Sequence, residues 1–294
     1  YKIECIGIYR GYQGMIEGDF TSLTARSVNN IINKGGTILK SARSDEFRTS
    51  EGRKKAHKNL IKQNIDGLVV IGGDGSFTGG VIFNKEYNFP VIGIPGTIDN
   101  DIFGTSHTLG YDTALNTAVE AIDKIRDTAS SHNRLFLVEV MGRDAGFIAL
   151  NTGLASGALD IILPEENKSI DDLFAEIEKG ASNKKTSNII IVSEGNKLGG
   201  SFDIAKKLKE KFNQLDIKVT ILGHLQRGGS PSCSDRILAS KLGKAAIDAL
   251  LDGEKHKMVG VIKNEIVLSD LKTVIDNKNG IDESLFYLNE IISR

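Results

Sequence analysis

The sequence predicts an α/β fold: mainly parallel sheets with helices on both faces. Three observations carry that prediction. Short, nearly continuous apolar runs alternate with stretches of helical period along the whole 294-residue chain, the pattern of strands buried on both faces. Glycine is abundant, with 32 residues against 4 prolines, and falls mostly where an apolar run ends and a strand hands over to a helix. A chain of this length with 40% hydrophobic residues is long enough for a large core and for two lobes.

Composition excludes several classes. The formal net charge is -1, which invites neither nucleic acid nor an acidic membrane surface. No apolar run reaches the roughly 18 residues needed to span a bilayer, and the N-terminus shows no secretory pattern. Cys5 and Cys233 are far apart and lack metal-ligand spacing, so both read as reduced thiols in a cytoplasmic protein.

Residues 1–9 alternate and are rich in isoleucine, which predicts a strand. Residues 11–14 read as a turn. A helix is expected over 22–33, stopped by Lys34-Gly35-Gly36. A basic helix over 52–63 would turn Ala56, Leu60 and Ile61 inward. Strands follow at 65–71 and 89–94, with a helix starting near 78 between them. A long helix over 111–127 has Leu115, Ala118, Val119, Ile122 and Ile125 at helical spacing. Strands at 135–140, 160–163, 189–192 and 219–222 alternate with helices at 147–154, 170–178 and 202–212. A helix over 234–251 would take Ser234 as its N-cap. Closing strands and a terminal helix over 285–292 end the chain.

The polar residues gather where strands end. Gly72-Gly73-Asp74-Gly75-Ser76 follows an apolar strand. Its glycines would let backbone approach a phosphate at a helix N-terminus, and Asp74 could hold magnesium beside it. No Gly-Lys-Ser/Thr follows, so this is not a P-loop. Thr78 stands where a dinucleotide fingerprint has its third glycine. Pro95-Gly96-Thr97-Ile98-Asp99-Asn100-Asp101 follows the next strand. An extended backbone would send the Asp99 and Asp101 carboxylates to one side, an arrangement suited to metal-assisted phosphoryl transfer with one carboxylate as base. A polar turn capping a helix reads the same way. Met141-Gly142-Arg143, Glu194, Lys218 and His224-Leu225-Gln226-Arg227 are further polar groups at strand ends. Together they describe a sugar-phosphate pocket, arginines gripping phosphate and a carboxylate accepting sugar hydroxyls.

In their order and spacing, the stretches Ile71–Ser76, 95–101, Glu139–Arg143 and Gly223-His224-Leu225-Gln226-Arg227-Gly228-Gly229-Ser230-Pro231 resemble the ATP-dependent 6-phosphofructokinases. The resemblance implies two αβα lobes with the active site between them: 1–110 with 226–277 for the nucleotide, and 111–225 with 278–294 for the sugar phosphate. It implies transfer of a phosphoryl group from MgATP to the 1-hydroxyl of fructose 6-phosphate. Asp99 would be the base, assisted by Thr97 and Asp101, and Arg143 would stabilise charge on the transferring group. Arg43, Ser44, Gly73, Asp74, Gly75 and Ser76 would hold ATP, with Tyr12 and Arg48 near the adenosine and Asp74 on Mg2+. Thr97, Ile98, Met141, Gly142, Glu194, Leu225 and Gln226 would line the sugar, and His224 and Arg227 would bind its 6-phosphate. Arg134 and Lys218 would come from a neighbouring subunit, which implies a homotetramer. Glycine at 75 and 96, where the pyrophosphate-dependent branch carries aspartate and lysine, favours ATP.

The chain departs from the family pattern in three places. The family's first strand, its Gly-Gly-Asp loop and a helix are absent ahead of Tyr1, so the isolated chain is expected to have an open nucleotide site, poor stability and little activity. Lys218 replaces an arginine, which removes bidentate phosphate geometry and predicts a raised KM for the sugar phosphate. Of the effector-site residues, Arg126 and Lys185 match, but Ala25, Leu159, Asn183 and Thr186 do not, which predicts weak or altered effector control.

Overall fold

The computed structural model describes residues 2–129, 134–182 and 189–292. In chain order the elements are β1 (Cys5–Ile8), α1 (Tyr12–Glu17), β2 (Phe20–Leu23), α2 (Ser50–Lys62), β3 (Leu68–Gly72), α3 (Asp74–Tyr87), β4 (Val91–Pro95), α4 (Tyr111–Ala129), β5 (Arg134–Val140), α5 (Phe147–Ala155) and β6 (Asp160–Ile162). There follow α6 (Ile170–Ser182), β7 (Ile189–Ser193), α7 (Ser201–Lys211), β8 (Asp216–Ile221), α8 (Cys233–Leu251), β9 (Lys257–Ile262), β10 (Glu265–Asp270), α9 (Leu271–Asp276) and α10 (Glu283–Ile292).

The chain divides into two compact units. One comprises Tyr1–Thr97, Ile102–Leu109 and Ser230–Lys278, and the other Ile98–Asp101, Gly110–Gly229 and Asn279–Arg294. The first holds a sheet of order β10-β9-β4-β3 and the separate pair β1-β2. β3, β4 and β9 run parallel, while β10 is an antiparallel edge strand. β4 is buried along its whole length. A Cβ at Gly93 would stand 2.8 Å from Phe77 of α3 and 3.0 Å from Leu271 of α9, so only glycine admits those helices at this distance. On the same side, Phe83 packs among Phe47, Tyr87 and Phe89 at ring distances of 5.1 to 5.9 Å.

The second unit holds an all-parallel sheet of order β6-β7-β5-β8. Its inner strands β5 and β7 read as Leu-Phe-Leu-Val and Ile-Ile-Ile-Val because both faces are covered. Tyr111, Ala114, Ala118 and Ile122 of α4 pack with α5 over one face, and Leu173, Ile177, Ile204 and Leu208 of α6 and α7 form the core on the other.

Several local expectations are corrected. Residues 12–14 open helix α1, and only Gly11 ahead of them lies in a turn. Gly14 is required because a Cβ there would lie 1.7 Å from the carbonyl oxygen of Tyr9. No helix forms over 22–33. Phe20–Leu23 instead pairs antiparallel with β1, and Val28 and Ile32 beyond it are 44% and 61% exposed. A helix there would have no apolar surface to pack on, and packing supplies most helical stability. Ile61 is exposed, whereas Arg53 joins Ala56 and Leu60 on the inner side of α2, the spacing i, i+3, i+7 of a single face. α3 begins at Asp74, directly after the glycine turn. α8 is capped by Ser232, whose hydroxyl accepts the N–H of Asp235 at 3.2 Å, which leaves Ser234 inside the first turn. β1 is shorter than expected, starting at Cys5.

Candidate active site

In the first unit, β3 delivers the chain into the turn at Gly72-Gly73, and α3 starts at Asp74. The first amides of α3 therefore point at the turn with their positive dipole end, and Asp74 sits in that first turn. A Cβ on Gly75 would meet nothing within 4 Å, so the space over this residue is open. At Gly96 a Cβ would come within 3.1 Å of Ile71. The Tyr12 hydroxyl donates to the Ser76 carbonyl oxygen at 2.5 Å, and its ring stacks on Phe47 at 4.0 Å. Burial pushes the Tyr12 phenol upward, which keeps it a donor. Gly79 and Gly80 make room for this brace, since a Cβ at 79 would lie 2.7 Å from the Tyr12 ring. Ser44 donates to Gln13 at 2.8 Å and accepts from the Phe47 N–H at 3.2 Å. Arg43 is exposed, and Arg48 is exposed with only a 3.8 Å pairing to Asp45. The carbonyl oxygen of Thr97 accepts from the Thr108 hydroxyl at 2.6 Å.

In the second unit, Ile98 to Asp101 are not extended, the condition under which both carboxylates would face one side. Asn100 adopts a left-handed conformation with φ 56°, so strand alternation does not orient the Asp99 and Asp101 carboxylates. Asp99 is 2% exposed, and its Oδ2 lies 3.4 Å from Arg143 Nε. Asp101 is half-buried, and its carbonyl oxygen accepts the Asn279 N–H at 3.5 Å. Ile98 packs into the core under α4 and β5.

The loop after β5 carries Met141, Gly142 and Arg143. Gly142 has φ 143° and Arg143 φ 52°, a left-handed pair that only glycine adopts freely. Three side-chain acceptors hold the loop, one from beyond each of the other strands of the sheet. Gln226, after β8, accepts the Met141 N–H at 3.3 Å. Glu194, after β7, accepts the Arg143 N–H at 2.8 Å. Glu165, after β6, accepts the Gly146 N–H at 2.8 Å. Gly195 must lack a side chain because its Cβ would lie 1.9 Å from the Arg143 carbonyl oxygen. Behind the loop, Glu139 of β5 accepts the Ser201 N–H at 3.0 Å at the start of α7.

His224, Leu225 and Arg227 are exposed on a 3-10 turn that follows β8, while Gln226 between them is 1% exposed and faces inward. Lys218 is not at a carboxyl strand end. It lies near the start of β8, beside Arg134 at the start of β5, and the two share Asp216 at 2.8 and 3.0 Å. Arg126, in the last turn of α4, donates to the carbonyl oxygen of Ser156. Leu159 is buried in the core. Lys185 lies outside the described residues. The sequence gives no role to Glu139, Glu165, Gly79 or Gly195, although Glu139 opens one of the stretches that carry the resemblance. Of the other three, only the glycines left a trace in the sequence, as unexplained small residues beside strand ends.

Among the described residues, no group of three His, Cys, Asp or Glu side chains could hold a metal ion, and no helix is long and apolar enough to cross a membrane.

The phosphofructokinase family model matches residues 1–250. The chain is 52% identical over 279 residues to ATP-dependent 6-phosphofructokinase 2 of Bacteroides thetaiotaomicron, covering 95% of this chain and 86% of that protein. It is 50% identical over 291 residues to ATP-dependent 6-phosphofructokinase 1 of Thermus thermophilus, covering 99% and 90%. Among solved structures it superposes on phosphofructokinase from Saccharomyces cerevisiae with TM-score 0.87 and 36% identity, covering 99% of this chain and 43% of the longer yeast chain. A pyrophosphate-dependent phosphofructokinase from Marinobacter aquaeolei matches at TM-score 0.83 and 20% identity, a likeness of fold alone. This chain belongs to the phosphofructokinase family.

Proposed function

We propose that the chain transfers the γ-phosphoryl group of MgATP to the 1-hydroxyl of fructose 6-phosphate, giving fructose 1,6-bisphosphate and ADP, as an enzyme of glycolysis. The observation that carries the reading is the approach of Arg143 to the buried Asp99 carboxylate at 3.4 Å. An acceptor hydroxyl at Asp99 loses its proton to the carboxylate, with Thr97 and Asp101 assisting. The Arg143 guanidinium neutralises charge that develops on the phosphoryl oxygens. Phosphoryl transfer asks for little covalent chemistry from the protein, so positioning and charge stabilisation supply most of the rate.

The open space over Gly75 supports room for the phosphates of ATP at the start of α3; Arg43, Ser44 and Gly73, Asp74, Gly75 and Ser76 hold ATP in this reading, with Tyr12 and Arg48 near the adenosine. The Asp74 carboxylate at this turn suits Mg2+, which binds through one or two carboxylates plus substrate phosphates. Asp74 would hold the ion, which when bound neutralises the phosphate oxygens. Met141, Gly142, Glu194 and Leu225 line the sugar in this reading, and His224 and Arg227 take its 6-phosphate. Arg134 sits at the amino end of a 7-residue strand, about 20 Å from its carboxyl end at 3.3 Å per residue. That separation supports delivery of Arg134 and Lys218 to a neighbouring subunit in a homotetramer. Arg126 is the retained part of a weakened effector site.

A donor and acceptor screen tests the reading. With the family's first strand and Gly-Gly-Asp loop added ahead of Tyr1, MgATP with fructose 6-phosphate should give turnover, and pyrophosphate should not replace ATP. Turnover with pyrophosphate, or preference for a different sugar phosphate, would contradict it.

A further inference from the structure

We propose that Glu165 is a positioning residue for Arg143, acting through the loop from Met141 to Gly146 and touching neither substrate. The proposal rests on reading Arg143 as the group that stabilises the transferring phosphoryl. Arg143 is presented from an unfavourable backbone, with φ 52° directly after Gly142 at φ 143°. A non-glycine residue stays in that region only when its surroundings over-determine it. Inside the loop, the Ala145 N–H donates to the Gly142 carbonyl oxygen at 3.0 Å. The rest of the restraint comes from outside: Gln226 on Met141, Glu194 on Arg143 and Glu165 on Gly146.

Glu165 holds the far end of the loop, where it joins α5. Gly146 is buried, and a Cβ there would lie 2.6 Å from Glu165 Oε2. The glycine thus lets the carboxylate close on the main chain. With that acceptor gone, the buried Gly146 N–H must find a new partner, and the loop can satisfy it only by moving. A bond to an ionised carboxylate is among the stronger restraints available to a single amide. A displacement of the order of 1 Å at Arg143 is enough to lower turnover substantially.

The test is a double-mutant cycle on the chain extended by the family's first strand and Gly-Gly-Asp loop ahead of Tyr1, with MgATP and fructose 6-phosphate. Glu165→Ala should lower kcat about tenfold while leaving KM for ATP within about twofold. In an Arg143→Ala background, the same substitution should change kcat by less than about twofold, because the two residues act as one unit. Glu165→Gln keeps an oxygen that can accept the Gly146 N–H and should restore kcat to within about threefold of the unsubstituted chain. Equal losses in both backgrounds would overturn the proposal. Hydrogen exchange decides the loop restraint independently of the substrate. The Arg143 and Gly146 amides should exchange at least about tenfold faster in Glu165→Ala and at an unchanged rate in Glu165→Gln. Unchanged exchange in Glu165→Ala would also overturn it. A chain that turned over no fructose 6-phosphate would defeat the functional reading, while the exchange rates would still report whether Glu165 holds the loop.

Discussion

Arg143 Nε lies 3.4 Å from Asp99 Oδ2, and the two partners differ sharply in surroundings: the carboxylate side chain is 2% exposed and the arginine 66%. The acid is fixed and desolvated, while the cation is free to swing toward a phosphoryl group. Arg143→Ala should therefore lower kcat by about 10²–10³ with little change in KM for ATP, as for other groups that stabilise transition-state charge. Arg143→Lys should recover only part of this, because an ammonium lacks the planar fork. Steady-state kinetics of the three forms check it.

The open space over Gly75 sets a second expectation. A Cβ at Gly75 meets no atom within 4 Å, so thermal unfolding of Gly75→Asp should shift little. Its negative charge would face the ATP phosphates and raise KM for ATP about tenfold or more. An unchanged KM would place the phosphates elsewhere.

Tyr12 braces the same turn from behind. Tyr12→Phe removes the 2.5 Å donation to the Ser76 carbonyl oxygen and keeps the stack on Phe47. The loss should be about 1 kcal/mol of stability in urea unfolding, with a few-fold rise in KM for ATP.

A pH dependence follows from Glu86. Its carboxylate accepts from Arg53 Nε and Nη2 at 2.7 and 2.6 Å, and the guanidinium holds the Glu86 carboxyl below its usual range. The contribution is present above the unfolded-state value of about 4.3 and is lost as pH falls through the lower folded value. Glu86→Gln should be about 1–2 kcal/mol less stable at pH 7, a range reduced for its partial exposure. The difference from the unsubstituted chain should shrink below about pH 4. Urea unfolding between pH 3 and 7 measures this.

The parallel strands were legible because burial on both faces turns each into an unbroken apolar run, as in Leu68-Val69-Val70-Ile71 and Ile189-Ile190-Ile191-Val192. The glycine turn before α3 was legible because a cluster of glycines directly follows an apolar run, where a strand hands over to a helix. The region of Val28 and Ile32 misled: its isoleucines and valine have helical spacing, but Val28 and Ile32 are exposed, and spacing alone does not say whether a packing surface exists. The carboxylate pair misled because the left-handed Asn100 is invisible in a list of residue types. Glu165, Gln226 and Glu194 could not be read as restraints on one loop, since they lie 19 to 85 positions from the amides they accept.

Asp99→Ser is the substitution that bears most directly on the account. With the family's first strand and Gly-Gly-Asp loop added ahead of Tyr1, turnover with MgATP and fructose 6-phosphate should fall by about 10²–10⁴, the range for removing a positioned base, while calorimetric binding of fructose 6-phosphate persists. Turnover close to that of the unsubstituted chain would contradict the assignment of Asp99 as the base.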